Sequence, residues 1–182
     1  GGQETASSKR RNESKPMMVE VKPPRNEEME KLAGNLREMF KQEGLENSVN
    51  IEVGKDGKGL VVRLADSLPF DGGSADLSDQ SKALVDKLFA ILQDDNFRVQ
   101  VEGHTDNVPV SNAQFKSNWA LSTARAVNVV EHLLQQFEVP PEHLSASGYS
   151  EYHPVAPNDT AENRAKNRRV EFVVTRVSDE TK

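Results

Sequence analysis

Phe97-Arg98-Val99-Gln100-Val101-Glu102-Gly103-His104-Thr105-Asp106-Asn107 is the stretch on which the fold turns. Phe97, Val99 and Val101 alternate with polar residues, the period of a half-buried strand, and Gly103 reads as its stop. A polar loop follows from His104 to Lys116, and then Ser117-Asn118 caps a third helix. Ala120, Leu121, Ala124, Val127, Val130, Leu134 and Phe137 recur at helical spacing and predict its buried stripe, with Pro140-Pro141 ending it. Leu144 to Tyr149 reads as a short strand, and Ser150 to Thr160 as a proline-containing loop. A short basic helix over 161–167 then leads into a last strand, Val170 to Val177.

Upstream, Val49, Ile51 and Val53 alternate, Lys55-Asp56-Gly57-Lys58-Gly59 turns the chain, and Leu60 to Leu64 runs back, which predicts a β-hairpin. A loop from Ala65 to Ser78 precedes a second helix, from about Asp79 to Gln93, with Leu84, Val85, Leu88, Phe89 and Leu92 on its core face. The first helix has Asn26 as cap and Glu27 and Glu28 in its opening turn. Its stripe of Met29, Leu32, Ala33, Leu36, Met39 and Phe40 ends near Gly44. Strands alternating with helices predict an α+β fold, a mixed sheet covered by helices on one face. Residues 1–26 hold five apolar side chains, four clustered cations and three prolines, a composition that predicts a flexible linker. The expected layout is linker 1–26, helix and hairpin 27–64, a main domain 65–177 and a tail 178–182.

With 182 residues the chain can bury a real core, since a domain of about 150 residues hides roughly 70% of its unfolded surface. A net charge of −6 argues against a generic nucleic-acid surface. The absence of cysteine excludes disulfides, thiolate zinc sites and a cysteine nucleophile. No apolar run is long enough to span a bilayer. The opening Gly1-Gly2 carries the expectation that the native N-terminus lies further upstream.

Chemistry concentrates in His104-Thr105-Asp106-Asn107, with Asn118, Leu121 and Arg125 on the next helix and Arg164, Arg168 and Arg169 before the last strand. If the 97–102 and 170–177 strands are neighbours, these groups meet at one sheet edge, a carboxylate beside several guanidiniums. That set suits a zwitterion: Asp106 accepts from an ammonium while Arg125 grips a carboxylate with two parallel hydrogen bonds. Plainer readings stay open: Asp106 with Arg125 or Arg168 as a structural ion pair, Asn118 as a cap, and Leu121 as core. Trp119 reads as an anchor for the third helix. The four histidines show no metal-ligand spacing, no Gly-x-Ser-x-Gly occurs, and no lysine-serine or lysine-threonine opens a helix behind the Gly54–Gly59 turn, as a phosphate loop requires. Binding is favoured over catalysis, and no cofactor or metal is expected. The catalytic alternative is a cell-wall hydrolase using His104 and Asp106.

Four blocks in order carry a resemblance: Val101 to Asp106, Asn118 with Leu121-Ser122-x-x-Arg125-Ala126, Gly148-Tyr149-Ser150-Glu151-x-x-Pro154, and Asn163-Arg164-x-x-Asn167-Arg168-Arg169-Val170. Together, over about residues 65–177, they resemble the OmpA-like peptidoglycan-binding family. The long loop from Asn107 to Lys116, the run Ser117 to Ser122 and the Pro69-Phe70 segment are most similar to its flagellar-stator branch. The resemblance implies a non-enzymatic cell-wall anchor in the periplasm. Asp106 and Arg125 would hold the diaminopimelate of a stem peptide, Thr105, Asn118 and Leu121 would line the site, and Arg168 would assist. It further implies a homodimer, a channel-forming stator partner of the MotA/PomA type, and an inner-membrane helix upstream. Another cell-wall anchor of the family, a lipoprotein or a porin tail, is the alternative. Ser150 departs from the second glycine found in many relatives.

Overall fold

The structure is a computed structural model that describes residues 16–17, 25–94 and 96–177. Most of the expected linker and all of the expected tail lie outside the described residues. In chain order the elements are α1 (Arg25–Gln42), β1 (Val49–Val53), β2 (Gly59–Ala65), α2 (Asp79–Leu92), β3 (Phe97–His104), α3 (Asn118–Gln136), β4 (Leu144–Gly148), α4 (Ala161–Asn167) and β5 (Arg169–Arg176). The five strands form one sheet in the order β1-β2-β5-β3-β4. β3 and β4 pair in parallel and every other neighbouring pair is antiparallel, so the sheet is mixed, as expected.

Alternation along the strands decides the two faces. Leu60, Val62 and Leu64 of β2, Val99 and Val101 of β3, and Val170, Phe172 and Val174 of β5 are all buried. They join one apolar cluster with Met29, Leu36 and Phe40 of α1, Val85, Leu88 and Phe89 of α2, and Val129 and Leu133 of α3. The stripes expected for α1 and α2 are therefore the ones that pack. The other sheet face carries the polar set of the alternation, Glu102 and His104 beside Glu171 and Arg169.

Helix ends follow local chemistry. Gly44 (φ 70°) donates to the Lys41 carbonyl and Leu45 to the Phe40 carbonyl, a Schellman closure of α1. Ser78 caps α2 by accepting from the Ser81 N–H, and Ser117 caps α3 by accepting from Ala120. Helix α1 starts at Arg25, so Asn26 lies inside its first turn rather than at the cap.

Two expectations need larger correction. The buried side of α3 is Asn118, Leu121, Ser122, Arg125, Ala126, Val129, His132 and Leu133, while Ala120, Val127 and Leu134 are exposed. The helix is rotated from its apolar stripe because polar Asn118, Ser122 and Arg125 point inward to the sheet edge. Trp119, expected as an anchor, is 51% exposed. Gly103 does not stop β3, which continues to His104. A Cβ there would lie 2.0 Å from the Ser122 carbonyl oxygen, so glycine marks where the α3 backbone presses onto the strand.

Candidate functional site

Strand order puts the C-terminal ends of β2 and β3 on either side of the start of β5, as the neighbour condition required. Residues just beyond those ends therefore converge. Asp66 donates its N–H to the Arg168 carbonyl at 3.0 Å, and Thr105 donates its N–H to Ser150 at 2.9 Å. The start of α3 leans over this edge.

Asp106 is 5% exposed. Its Oδ1 accepts from the Val108 N–H at 2.9 Å, and its Oδ2 accepts from Arg168 Nη1 at 2.6 Å. Arg125, also buried, is held elsewhere: Nη1 donates to Asp66 Oδ2 at 2.9 Å and Nε to the Ser74 carbonyl at 2.8 Å. Its guanidinium lies 4.8 Å from the centre of the Phe70 ring. The third donor, Nη2, reaches the Asp71 carbonyl only at 3.5 Å. Asn118 donates from Nδ2 to the Val108 carbonyl at 3.0 Å, while its Oδ1 is buried with no hydrogen-bond partner. Such an acceptor costs about 1–3 kcal/mol unless something donates to it. These groups line a cavity of about 310 Å³, together with Phe70, Gly72, Gly73, Thr105, Val110 and Leu121.

All six expected site residues, Thr105, Asp106, Asn118, Leu121, Arg125 and Arg168, thus face one cavity. The pairing within it differs from a simple Asp106–Arg125 couple: Arg168 takes Asp106, and Arg125 takes Asp66. Asp66 and Phe70 were not singled out from sequence as lining residues. A lone aspartate after a strand carries no spacing signal, and only the sheet order reveals it.

Three residues grouped with the site are placed elsewhere. Arg164, on α4, donates to the Asn158 carbonyl of the preceding loop at 3.4 Å. His104 is stacked on Tyr149, with its Nε2 3.8 Å from Glu102 and 3.9 Å from Glu171. His104 thus sits among Glu102, Tyr149 and Glu171 and does not line the cavity that Asp106 borders, which undercuts a His104–Asp106 catalytic pair. Arg169 binds Glu171, whose Oε1 accepts from Arg169 Nε at 2.8 Å and from Arg63 Nε at 2.7 Å. Burial alone would raise the Glu171 carboxyl, but the hydrogen bonds and charge of Arg169 and Arg63 outweigh it and hold the carboxyl below its ordinary value.

An α+β sheet whose strand ends carry this acid–guanidinium cavity defines a class, and sequence comparison agrees: the OmpA family model matches residues 69–168, and the chain belongs to that family. Within it, the chain is 38% identical over 149 residues to Motility protein B of Bacillus subtilis, a match covering 81% of this chain and 56% of that protein. Three solved structures share the fold. A MotB-like protein from Desulfovibrio vulgaris has a TM-score of 0.75 at 29% identity, covering 87% of this chain and 97% of that one. The type VI secretion system cell-wall anchor of Pseudomonas aeruginosa has 0.68 at 31%, covering 78% and 96%. The periplasmic domain of Helicobacter pylori MotB has 0.63 at 30%, covering 72% and 90%. The chain spans about half the length of the curated relatives it matches.

Proposed function

We propose that this chain is the peptidoglycan-binding part of a flagellar stator subunit, gripping the cell wall without chemical turnover so that torque has a fixed point. The observation that carries the reading is the cavity at the β3 end, where two carboxylates, Asp66 and Asp106, two guanidiniums and a buried amide oxygen without a donor border the same space. Diaminopimelate presents an ammonium and a carboxylate on one carbon. Asp106 takes the ammonium, Arg125 takes the carboxylate through its weakly engaged Nη2, and Arg168 assists from Asp106's side. Asn118 Oδ1 accepts an N–H of the ligand, while Thr105 and Leu121 form the wall. Each charge-assisted hydrogen bond is worth about 1.5–3 kcal/mol, enough in combination for slow release.

In this reading residues 65–177 are the binding domain, 27–64 extend its sheet and helical layer, and 1–26 and 178–182 are linker and tail. The domain works in the periplasm. A homodimer holds the wall through two grips, which raises the effective hold well above one. A membrane helix upstream joins it to a MotA/PomA-type partner in the inner membrane. The fold likeness to a secretion-system cell-wall anchor favours a second reading, an anchor for a different machine, which uses the same site.

Purified sacculi test the reading. The protein is expected to pellet with them and to release no soluble muropeptides, and Asp106→Asn or Arg125→Ala is expected to abolish pelleting with the circular dichroism spectrum kept. Wild-type-like pelleting by both variants overturns the residue assignment, and released fragments overturn the non-enzymatic role. Restoration of motility in a stator-deficient cell separates the motor from another anchored machine.

A further inference from the structure

The half-exposed Trp119 has a partner that sequence periodicity does not reveal. Its ring stacks on Tyr152 with centroids 5.4 Å apart and planes inclined by 29°. Tyr152 is 62% exposed, so the two rings form an aromatic ledge open to solvent on a protein with ten aromatic residues outside histidine, one of them tryptophan.

The ledge is tied to the cavity through short covalent and hydrogen-bonded paths. Trp119 follows Asn118, which lines the cavity and holds the Val108 carbonyl. Tyr152 follows Ser150, whose carbonyl accepts from Thr105 beside Asp106 and whose N–H donates to Ser122 Oγ at 3.1 Å. Ser122 Oγ in turn donates to the Trp119 carbonyl at 3.2 Å. Ser150 is 3% exposed and adopts φ 54°, a left-handed conformation that a serine keeps only when its surroundings fix it. The loop bearing Tyr152 is therefore pinned to the same two elements that build the site.

Resting on the peptidoglycan reading above, we infer that Trp119 and Tyr152 form a carbohydrate subsite that stacks against the amino sugar bearing the stem peptide. Two residues separate diaminopimelate from that sugar along a stem peptide, a reach of about 7 Å at full extension. A sugar ring has an apolar C–H face, and stacked aromatics give it a flat, rigid surface at low entropic cost. The ledge thus reads the glycan while the cavity reads the peptide.

The test compares two ligands: the free diaminopimelate-containing stem tripeptide, and the same peptide on its disaccharide. Intrinsic fluorescence reports Trp119 alone in the wild type, and calorimetry gives affinity in the variants. The disaccharide form is expected to bind about tenfold more tightly than the tripeptide and to shift the Trp119 emission, which the tripeptide does not. Trp119→Ala and Tyr152→Ala are expected to bring the disaccharide form down to the affinity of the tripeptide. Equal affinity of wild type for the two ligands, or a disaccharide advantage that survives both substitutions, overturns the subsite and leaves the peptide site standing. Failure of both ligands to bind overturns the peptidoglycan reading and the subsite with it. If Trp119→Ala leaves ligand preference intact but changes the sedimentation coefficient, the ledge faces a second copy and the inference is wrong.

Discussion

Two clusters of carboxylates and arginines sit near the start of central strand β5, one on the polar face of the sheet and one beyond the strand ends, and they use the same residue types differently. On the sheet face one oxygen of Glu171 accepts from both Arg63 and Arg169, and Arg63 also reaches Glu52 at 2.9 Å. At the strand ends Asp106 and Arg125 are buried to a similar degree, but they border a cavity that also exposes an amide oxygen with no donor. Neither cluster is fully closed: beside the first, buried His104 has both ring nitrogens without a hydrogen-bond partner, and Glu52, Arg63 and Arg169 border a cavity of about 590 Å³. Buried ion pairs with unpaired polar atoms nearby therefore do not by themselves mark a site; at the strand ends the acid and guanidiniums around one cavity also match the two charges of a zwitterion.

The comparison predicts that damage to the two clusters separates cleanly. Glu171→Ala leaves buried Arg169 without its carboxylate, while Arg63 keeps Glu52, and is expected to cost about 3–5 kcal/mol in urea unfolding, with wall binding kept by the folded fraction. A loss below about 1 kcal/mol would mean that the sheet-face cluster is not structural after all. Gly103→Ala drives a methyl into the Ser122 carbonyl. It is expected to cost about 1–3 kcal/mol and, unlike Glu171→Ala, to weaken ligand binding in the folded protein by moving α3 over the cavity. Asp106→Asn is expected to change stability by less than about 1 kcal/mol while lowering affinity for the stem tripeptide roughly 10- to 100-fold by calorimetry. A large stability loss with binding unchanged would reverse the roles assigned to the two clusters.

Acid sharpens the contrast. Because the Glu171 carboxyl is held below its ordinary value when folded, its contribution is fully present above the unfolded value near 4.5 and is lost as pH falls through the folded one. Unfolding free energy is therefore expected to drop as pH falls below about 5, less steeply in Glu171→Gln than in wild type. A slope equal in both proteins would place the acid sensitivity elsewhere. The smallest effect is expected from Ser117→Ala, which removes the α3 cap for about 1 kcal/mol.

The element order, the hairpin, the α1 and α2 faces and six of the residues that line the cavity were legible in the sequence alone. Those are local signals: period-2 and period-3.6 apolar spacing, turn glycines, and family blocks carried by short contiguous runs. Tertiary structure alone decided the partners. That Arg168 meets Asp106, that Asp66 takes Arg125, and that Arg169 turns to the opposite face all follow from β5 lying between β2 and β3. It also decided the rotation of α3, because an apolar count cannot register that Asn118, Ser122 and Arg125 are buried by what they bond to. Hydrogen bonds between residues some 50 positions apart, such as Arg125 to Ser74, leave no periodicity to read.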